Sequence, residues 1–459
     1  MESKKIGRSA CSCRRLINMC LMGSLIGIVL PACAQSTQYK EYPQNLGTYQ
    51  PLVSPFVPSW MTLDMDLRAR TEAQTAINYT DGNAQVYELT RIRGGVEVRP
   101  TKFLTGYIQF HDNHALGLPL KFVAANMRDL FDARQAFLEF HTKTVKVFAG
   151  RQELKFGGER LIGISDFTNN SRTFDGFDAR IGDKNRVDIF STSVVAIHPT
   201  SLDKHGAGLT FHGVYGTLGT IVPHTTVEPF VFVKAFPRVL SQQSIYGSET
   251  EVTFGSEVVG NIKGGFDYDL LGALQRGSYS NDSIHAGAGY AKVAYTATNL
   301  YWKPRLGGEY DYATGNPHRN LNRISTFDEQ YPSNHNAFGL VDLFGYQNIK
   351  QSRINLDLSP MRHLTVLVQQ EFLNVASVHD GVYNGAGTQF VKPSAQGFAS
   401  DDIGKGFDAS AKYVFHDYLV VNIGVGHFFP GRLMTANAHG APLTLSYLSF
   451  TYRFKVNNK

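Results

Sequence analysis

MTLDMDLRAR, residues 61–70, alternates at every step between an apolar and a polar side chain. Successive side chains of an extended strand point to opposite faces. Met61, Leu63, Met65, Leu67 and Ala69 therefore share one side, and Asp64, Asp66, Arg68 and Arg70 share the other. A soluble sandwich produces such alternation with its apolar side in a core. A membrane barrel produces it with the apolar side in lipid and the charges in a water-filled lumen. Four charges in a row suit the lumen at least as well as a sandwich exterior.

The pattern recurs outward from this stretch. Leu89–Arg99 sets Arg91, Arg93, Glu97 and Arg99 against Ile92, Val96 and Val98, and Pro100-Thr101 turns the chain into Phe103–His111. Runs follow at 134–141 and 145–153, then near 174–181, 186–197, 206–215, 226–236, 250–259, 265–276, 283–295, 302–313, 346–358, 362–374, 404–415, 418–428 and 443–454. That makes eighteen segments of roughly the 9–11 residues that a tilted membrane strand needs. Their connections alternate in length: short at 99–102, 141–144, 182–185, 359–361 and 416–417, long at 112–131, 154–173, 314–345, 375–403 and 429–442. Outer-membrane barrels sort loops this way, with short periplasmic turns and long extracellular loops. A sandwich has no reason to do so. The expected fold is an all-β transmembrane antiparallel barrel of about eighteen strands over residues 60–459.

The termini fit that placement. Lys4, Lys5, Arg8, Arg14 and Arg15 precede an apolar run, Leu16–Leu30, and Ala32-Cys33-Ala34 offers small residues at a cleavage position. This reads as a signal peptide over 1–34; lipidation of Cys33 is a rival. Residues 35–59, rich in Pro, Gln and Tyr, read as a periplasmic lead-in. The last run places Leu448, Phe450, Tyr452 and Phe454 on one face, as in terminal strands recognised by the barrel-assembly machinery.

Processing would change the charge balance. The formal charge is +5, and residues 1–34 hold five basic residues and one Glu, so the remaining 425 residues carry only +1. Any electropositive site must then come from local placement, and nothing in this balance points to nucleic acid. All four cysteines (Cys11, Cys13, Cys20, Cys33) lie within 1–34. A mature chain without them has no disulfide and no thiolate metal site. Closing a barrel is another source of stability, because it pairs every strand edge.

Enzyme motifs are missing. Gly163-Ile164-Ser165-Asp166-Phe167 lacks the second glycine of a nucleophile elbow, and neither HExxH nor a phosphate-loop glycine pattern occurs. A barrel hydrolase assembled from distant Ser and His stays open at this level. No cofactor is indicated; calcium at loop acids such as Asp401-Asp402 is the one ion considered.

The substantive constellation is charged. Arg68, Arg70, Arg91, Arg93, Arg151, Arg305 and Arg353 fall opposite the apolar residues of their strands, with Asp66, Glu97, Glu139, Glu153, Glu309 and Asp311 interleaved. Arginine's planar fork pairs with carboxylates bidentately. Rings of such groups favour anions in a pore, and conduction needs many weak sites. Ion pairs that merely brace the wall are the competing account.

GRQELKFGGERLIG (150–163) with DFTNNSRTFDG (166–176) resembles the outer-membrane alginate-export family. So do WKPRLGGEYDY (302–312), TFDEQYPSNH (326–335) and GLVDLFGYQN (339–348). The resemblance covers most of 60–454. It implies an eighteen-stranded barrel passing an acidic polysaccharide through an arginine-rich constriction closed by loops and turns. It also implies lumen roles for Arg151, Arg172 and Arg305, with Glu153 and Asp175 as acidic neighbours. The expected function is passive export of an alginate-like polymer, with outer-membrane lipids and possible periplasmic export proteins as partners. Uptake of anions or oligosaccharides is the alternative.

Overall fold

The computed structural model describes residues 49–458 except 80, 207, 319, 320 and 417; the signal peptide and its cleavage position lie outside the described residues. Eighteen antiparallel strands build the wall. They are β1 (Met61–Gln74), β2 (Gln85–Thr101), β3 (Leu104–Leu116), β4 (Asp129–His141), β5 (Val145–Gln152) and β6 (Phe174–Gly182). Then come β7 (Asn185–Ala196), β8 (Thr210–Val222), β9 (Thr225–Leu240), β10 (Tyr246–Ile262), β11 (Phe266–Tyr279) and β12 (Asp282–Thr296). The last six are β13 (Arg305–Ala313), β14 (Ile349–Met361), β15 (Leu364–Val375), β16 (Asp402–Phe415), β17 (Leu419–Pro430) and β18 (Leu443–Asn457). Each pairs with its neighbour, and β18 returns to β1, with Asp66 opposite Arg453 and Leu67 opposite Tyr452. The barrel is closed.

Burial along β1 decides between lumen and sandwich. Asp64, Asp66, Arg68 and Arg70 are buried, whereas Leu63, Met65 and Leu67 are half-exposed and Ala69 is exposed. Elsewhere Phe131, Leu138, Phe140, Phe177 and Ile189 are exposed. Charges inside and large apolar groups outside invert the arrangement of a water-soluble protein. It is the one stable in lipid, where a closed barrel also leaves no backbone group without a partner.

Strand boundaries run past the expected ones, to seventeen residues in β2 and β10. The loop asymmetry holds for most connections: two residues link β2 to β3 and β6 to β7, against long links at 117–128, 153–173, 314–348 and 376–401. Two connections break the parity, the tight 280–281 turn on the long-loop side and the eight-residue 297–304 link on the other. One piece of the lead-in is not irregular. Gln50–Val53 forms a short parallel strand on Phe454–Asn457 of β18. It covers the part of that edge that β17, whose pairing begins at Tyr452, leaves bare.

Two glycines meet where β5 and β6 pair. Gly150 faces Gly176 across the ladder, both with positive φ. A Cβ at Gly150 would stand 2.2 Å from the Ala136 carbonyl oxygen, and one at Gly176 2.2 Å from that of Ser191. No other residue fits such a position. Just beyond Gly150 the chain leaves the wall as loop 153–173, which turns inward rather than out into solvent.

Candidate functional site

The interior of the barrel is occupied by its own long loops. Loop 153–173 is buried along most of its length, and its backbone lies against a belt of arginines on β1, β2, β4 and β18. Arg68 donates to the carbonyls of Asp166 (2.8 Å) and Thr168 (2.7 Å). The guanidinium of Arg70 lies 3.9 Å from the centre of the Phe167 ring. Arg91 and Arg93 converge on one carboxylate oxygen of Asp166, at 3.0 and 2.9 Å. Arg134 bonds Glu153 and donates to Ser171 at 2.7 Å.

The belt carries more positive than negative wall charge. Asp66 bridges Arg91 (3.1 Å) and Arg453 (2.6 Å), and Glu72 takes Arg70 (2.6 Å). Both carboxylates lie on the wall beside the guanidinium groups of Arg68, Arg70, Arg91, Arg93 and Arg453. Asp166 supplies further compensation from the loop. Burial alone would raise its carboxyl, but Arg91, Arg93, Arg68 and Arg453 together hold it well below the ordinary carboxylate range. Three amide donations fix the loop's path: Asn169 Nδ2 reaches the carbonyls of Thr90 (2.9 Å), His114 (3.2 Å) and Met127 (3.0 Å).

The tip of the same loop crosses to another stretch of the wall. Arg160 bonds Glu309 at 2.5 Å and Asp311 at 3.1 Å, both on β13. It lies 4.8 Å from the ring centre of Tyr290 and 5.3 Å from that of Phe338. Arg353 bonds Glu309 and sits 3.6 Å from Glu371, and Lys292 lies 3.4 Å from Asp269. Two charged clusters on different stretches of the wall are thus joined by one loop.

A second loop locks the first. Ile162 and Tyr331 form a parallel bridge, with N–H donations from Tyr331 to Leu161 O (2.9 Å) and from Gly163 to Tyr331 O (2.8 Å). Arg172 donates to the carbonyls of Gly163 (2.7 Å) and Pro332 (3.0 Å). The His335 imidazole stacks on Phe167, ring centres 3.3 Å apart. Glu329 accepts the Tyr346 N–H and, at 3.2 Å, the amide of Asn334; burial pushes its carboxyl up to about 8. Asn334 also donates to the Gly385 carbonyl at 2.9 Å, tying in loop 376–401. Beside this assembly lies a cavity of 1030 Å³ whose lining includes Arg172, Lys234, Glu249, Glu251, Asp328 and Glu329.

The residues singled out in the sequence separate into groups. Arg68, Arg70, Arg91 and Arg93 gather with Asp66 around loop 153–173. Arg353, Glu309 and Asp311 gather around Arg160. Arg151 stays on the wall, bonding Asp175 at 2.8 Å and the Ala133 carbonyl at 3.0 Å. Arg305 is more open, between Asp267 (2.5 Å) and Asp357 (3.0 Å) near the short-turn end. Arg172 is packed between loops. Glu153 pairs with Arg134, Glu97 with Arg99, and Glu139 lies 3.5 Å from His141, so these three do not join one site. Sequence reading missed Arg134, Arg160, Asp166 and Arg453 as members. Arg453 was legible, sharing the polar face of the final strand. Nothing in the sequence said that Arg160 would cross the lumen.

With this geometry in place, comparison with known proteins gives a family. A family model described as alginate export matches residues 59–441. The chain belongs to the alginate export family. No curated protein matches it in sequence. Solved structures share the fold at low identity. OccK11 (OpdR) of Pseudomonas aeruginosa is 13% identical over 89% of this chain and 100% of its own, with a TM-score of 0.56. OccAB2 of Acinetobacter baumannii is 9% identical over 87% and 99%, with a TM-score of 0.59. OccD3 (OpdP) of P. aeruginosa is 12% identical over 89% and 94%, also at 0.59. This alginate export family member is accordingly a porin-like outer-membrane barrel, and family and fold both point to a channel rather than an enzyme.

Proposed function

We propose that the barrel exports an anionic exopolysaccharide of the alginate class by passive diffusion along its arginines. The observation that carries this reading is the seating of Asp166. A tethered carboxylate, with the carbonyls around it, occupies the belt formed by Arg68, Arg91 and Arg93. When the loop withdraws, the guanidinium groups that now hold its carboxylate and carbonyls would face the lumen beside Asp66 and Glu72. A uronate carboxylate matches what the loop leaves behind, since guanidinium pairs carboxylate in a planar, bidentate fashion. Arg151 and Arg305, half-buried on the wall, would provide further weak sites for a polymer that must keep moving.

The test is single-channel conductance in planar bilayers with added polymannuronate or polyguluronate. An anion-selective current that the polymer blocks, with weaker block in Arg93→Ala, Arg151→Ala and Arg305→Ala, supports the reading. A channel indifferent to the polymer would leave a general porin. Uptake of small anions would use the same belt, and a current blocked by monomeric uronate but not by polymer would favour it.

A further inference from the structure

Apart from the arginine belt, two trios of potential metal ligands stand out. Glu249, Glu251 and Asp328 form one of them. Lys234 contacts both Glu249, at 3.3 Å, and Asp328, so the chain itself supplies the cation there. The other trio is His111 on β3, Asp129 at the start of β4 and Asp203 in the loop after β7, and among the described residues no lysine or arginine side chain is paired with its donor atoms. Their donor atoms all lie within 4.8 Å of one another.

Asp129 is the decisive group. Its side chain is fully buried, and apart from the Asp203 carboxyl beside it neither carboxylate oxygen finds a hydrogen-bond donor among the described residues. His111 Nε2 stands 2.9 Å from Asp129 Oδ2, yet off the ring's N–H direction, so the contact is not a hydrogen bond. The two donor atoms thus lie side by side, as neighbouring ligands of one ion would. Asn113, 3.2 Å from the Nδ1 side of His111, helps to orient the ring. Asp132 positions the third ligand by accepting the Asp203 backbone N–H, and Asp203 itself accepts the His198 N–H at 2.6 Å.

The neighbouring arginines are committed elsewhere. Arg93 is held by Asp166 (2.9 Å) and Ser171 (2.6 Å), and Arg134 by Glu153, Gln109 (2.7 Å) and Ser171 (2.7 Å). Arg151 pairs with Asp175 at 2.8 Å and touches Asp203 only through its carbonyl. Two carboxylates held close together at a buried site, with no lysine or arginine paired to them, are costly.

We propose that His111, Asp129 and Asp203 bind one divalent transition-series cation, zinc in the first place. One imidazole with two carboxylates suits zinc better than the all-oxygen shells of calcium or magnesium. A small rotation of the loop residue Asp203 brings the donors to the roughly 3–4 Å separation of ligands on one tetrahedral ion. The ion would staple the loop after β7 to β3 and β4. The staple lies next to the root of loop 153–173, where Asn113 meets Asn170.

The experiment uses the full barrel in detergent micelles, treated with chelator and then titrated separately with zinc, manganese and calcium chloride. Calorimetry reads stoichiometry, and heat-modified electrophoretic mobility reads stability. We expect one zinc per chain, a raised unfolding temperature, and affinity lowered at least about tenfold in Asp203→Ala. Asp203 lies in a loop, so this variant should keep the barrel. His111→Gln gives the same reading from the wall if it does not. Failure of wild type to bind zinc stoichiometrically would overturn the proposal. So would zinc binding unchanged in both variants, or lost instead in His198→Gln or His205→Gln. Binding of calcium in preference to zinc would overturn the ligand class.

Discussion

Arg160 lies 3.1 Å from Asp311, a residue of a different stretch of the wall, and so fastens loop 153–173 across the lumen. The loop is anchored at both ends by charge: Asp166 among the arginines of one stretch, Arg160 among the carboxylates of the other. On the export reading proposed above, withdrawal of this loop would break buried ion pairs and expose the belt and the carboxylate cluster together.

Arg160→Ala removes one anchor. Breaking a buried pair from one side costs roughly 3–5 kcal/mol, because the partner charge stays behind. Arg353 and Lys292 remain to hold Glu309, so the barrel itself should survive. We expect larger single-channel conductance and faster protease cleavage within 153–173, with heat-modified mobility unchanged. Wild-type conductance in the variant would remove Arg160 from the closing contact.

Glu329 makes loop docking depend on pH. Its folded-state pKa, pushed up to about 8 by burial, lies above the ordinary value of about 4.3. Docking is therefore favoured fully below about pH 4.3, weakens as pH rises through about 8, and is constant beyond. Arg172 on one side favours the charged form and Asp342 opposes it. Conductance should rise between pH 5 and 8 in wild type and flatten in Glu329→Gln. An equally steep profile in the variant would assign the dependence to another group.

His335 stacks on Phe167 while neither ring nitrogen has a hydrogen bond. Burial holds its pKa well below the ordinary histidine value, with Arg70 acting in the same direction, so the ring is neutral. His335→Phe keeps the stack and removes two unsatisfied nitrogens. We expect a gain of about 1 kcal/mol in loop docking, measured by slower proteolysis of loop 153–173. Faster cleavage would mean that the imidazole has a polar partner.

Gly150→Ala tests the glycine position just before that loop departs. The added methyl would meet the Ala136 carbonyl oxygen at 2.2 Å on a backbone with φ of +127°. A loss of at least about 2 kcal/mol follows from the clash and the left-handed strain. A lower heat-modification temperature than wild type checks it.

The fold was legible because its information is local. Alternation with a period of two and sorted loop lengths mark eighteen strands, and all eighteen appear, with boundaries shifted by a few residues. The arginines on β1 and β2 were legible for the same reason, since the polar face of each strand can only turn inward once the other face meets lipid. The short strand at Gln50–Val53 was not, because its pairing partner lies at the far end of the chain.

What the sequence by itself determined is the wall: which face is apolar, where the strands run and on which side the long loops lie. Only the tertiary structure decided what fills the lumen. Loop 153–173 has no period to read, and its course is set by contacts with residues far along the chain, Arg91 and Arg93 before it, Glu309, Tyr331 and His335 after it. Alternation says that an arginine points inward. Whether a guanidinium then meets water, a polymer or the chain's own Asp166 depends on the closure of all eighteen strands into one ring.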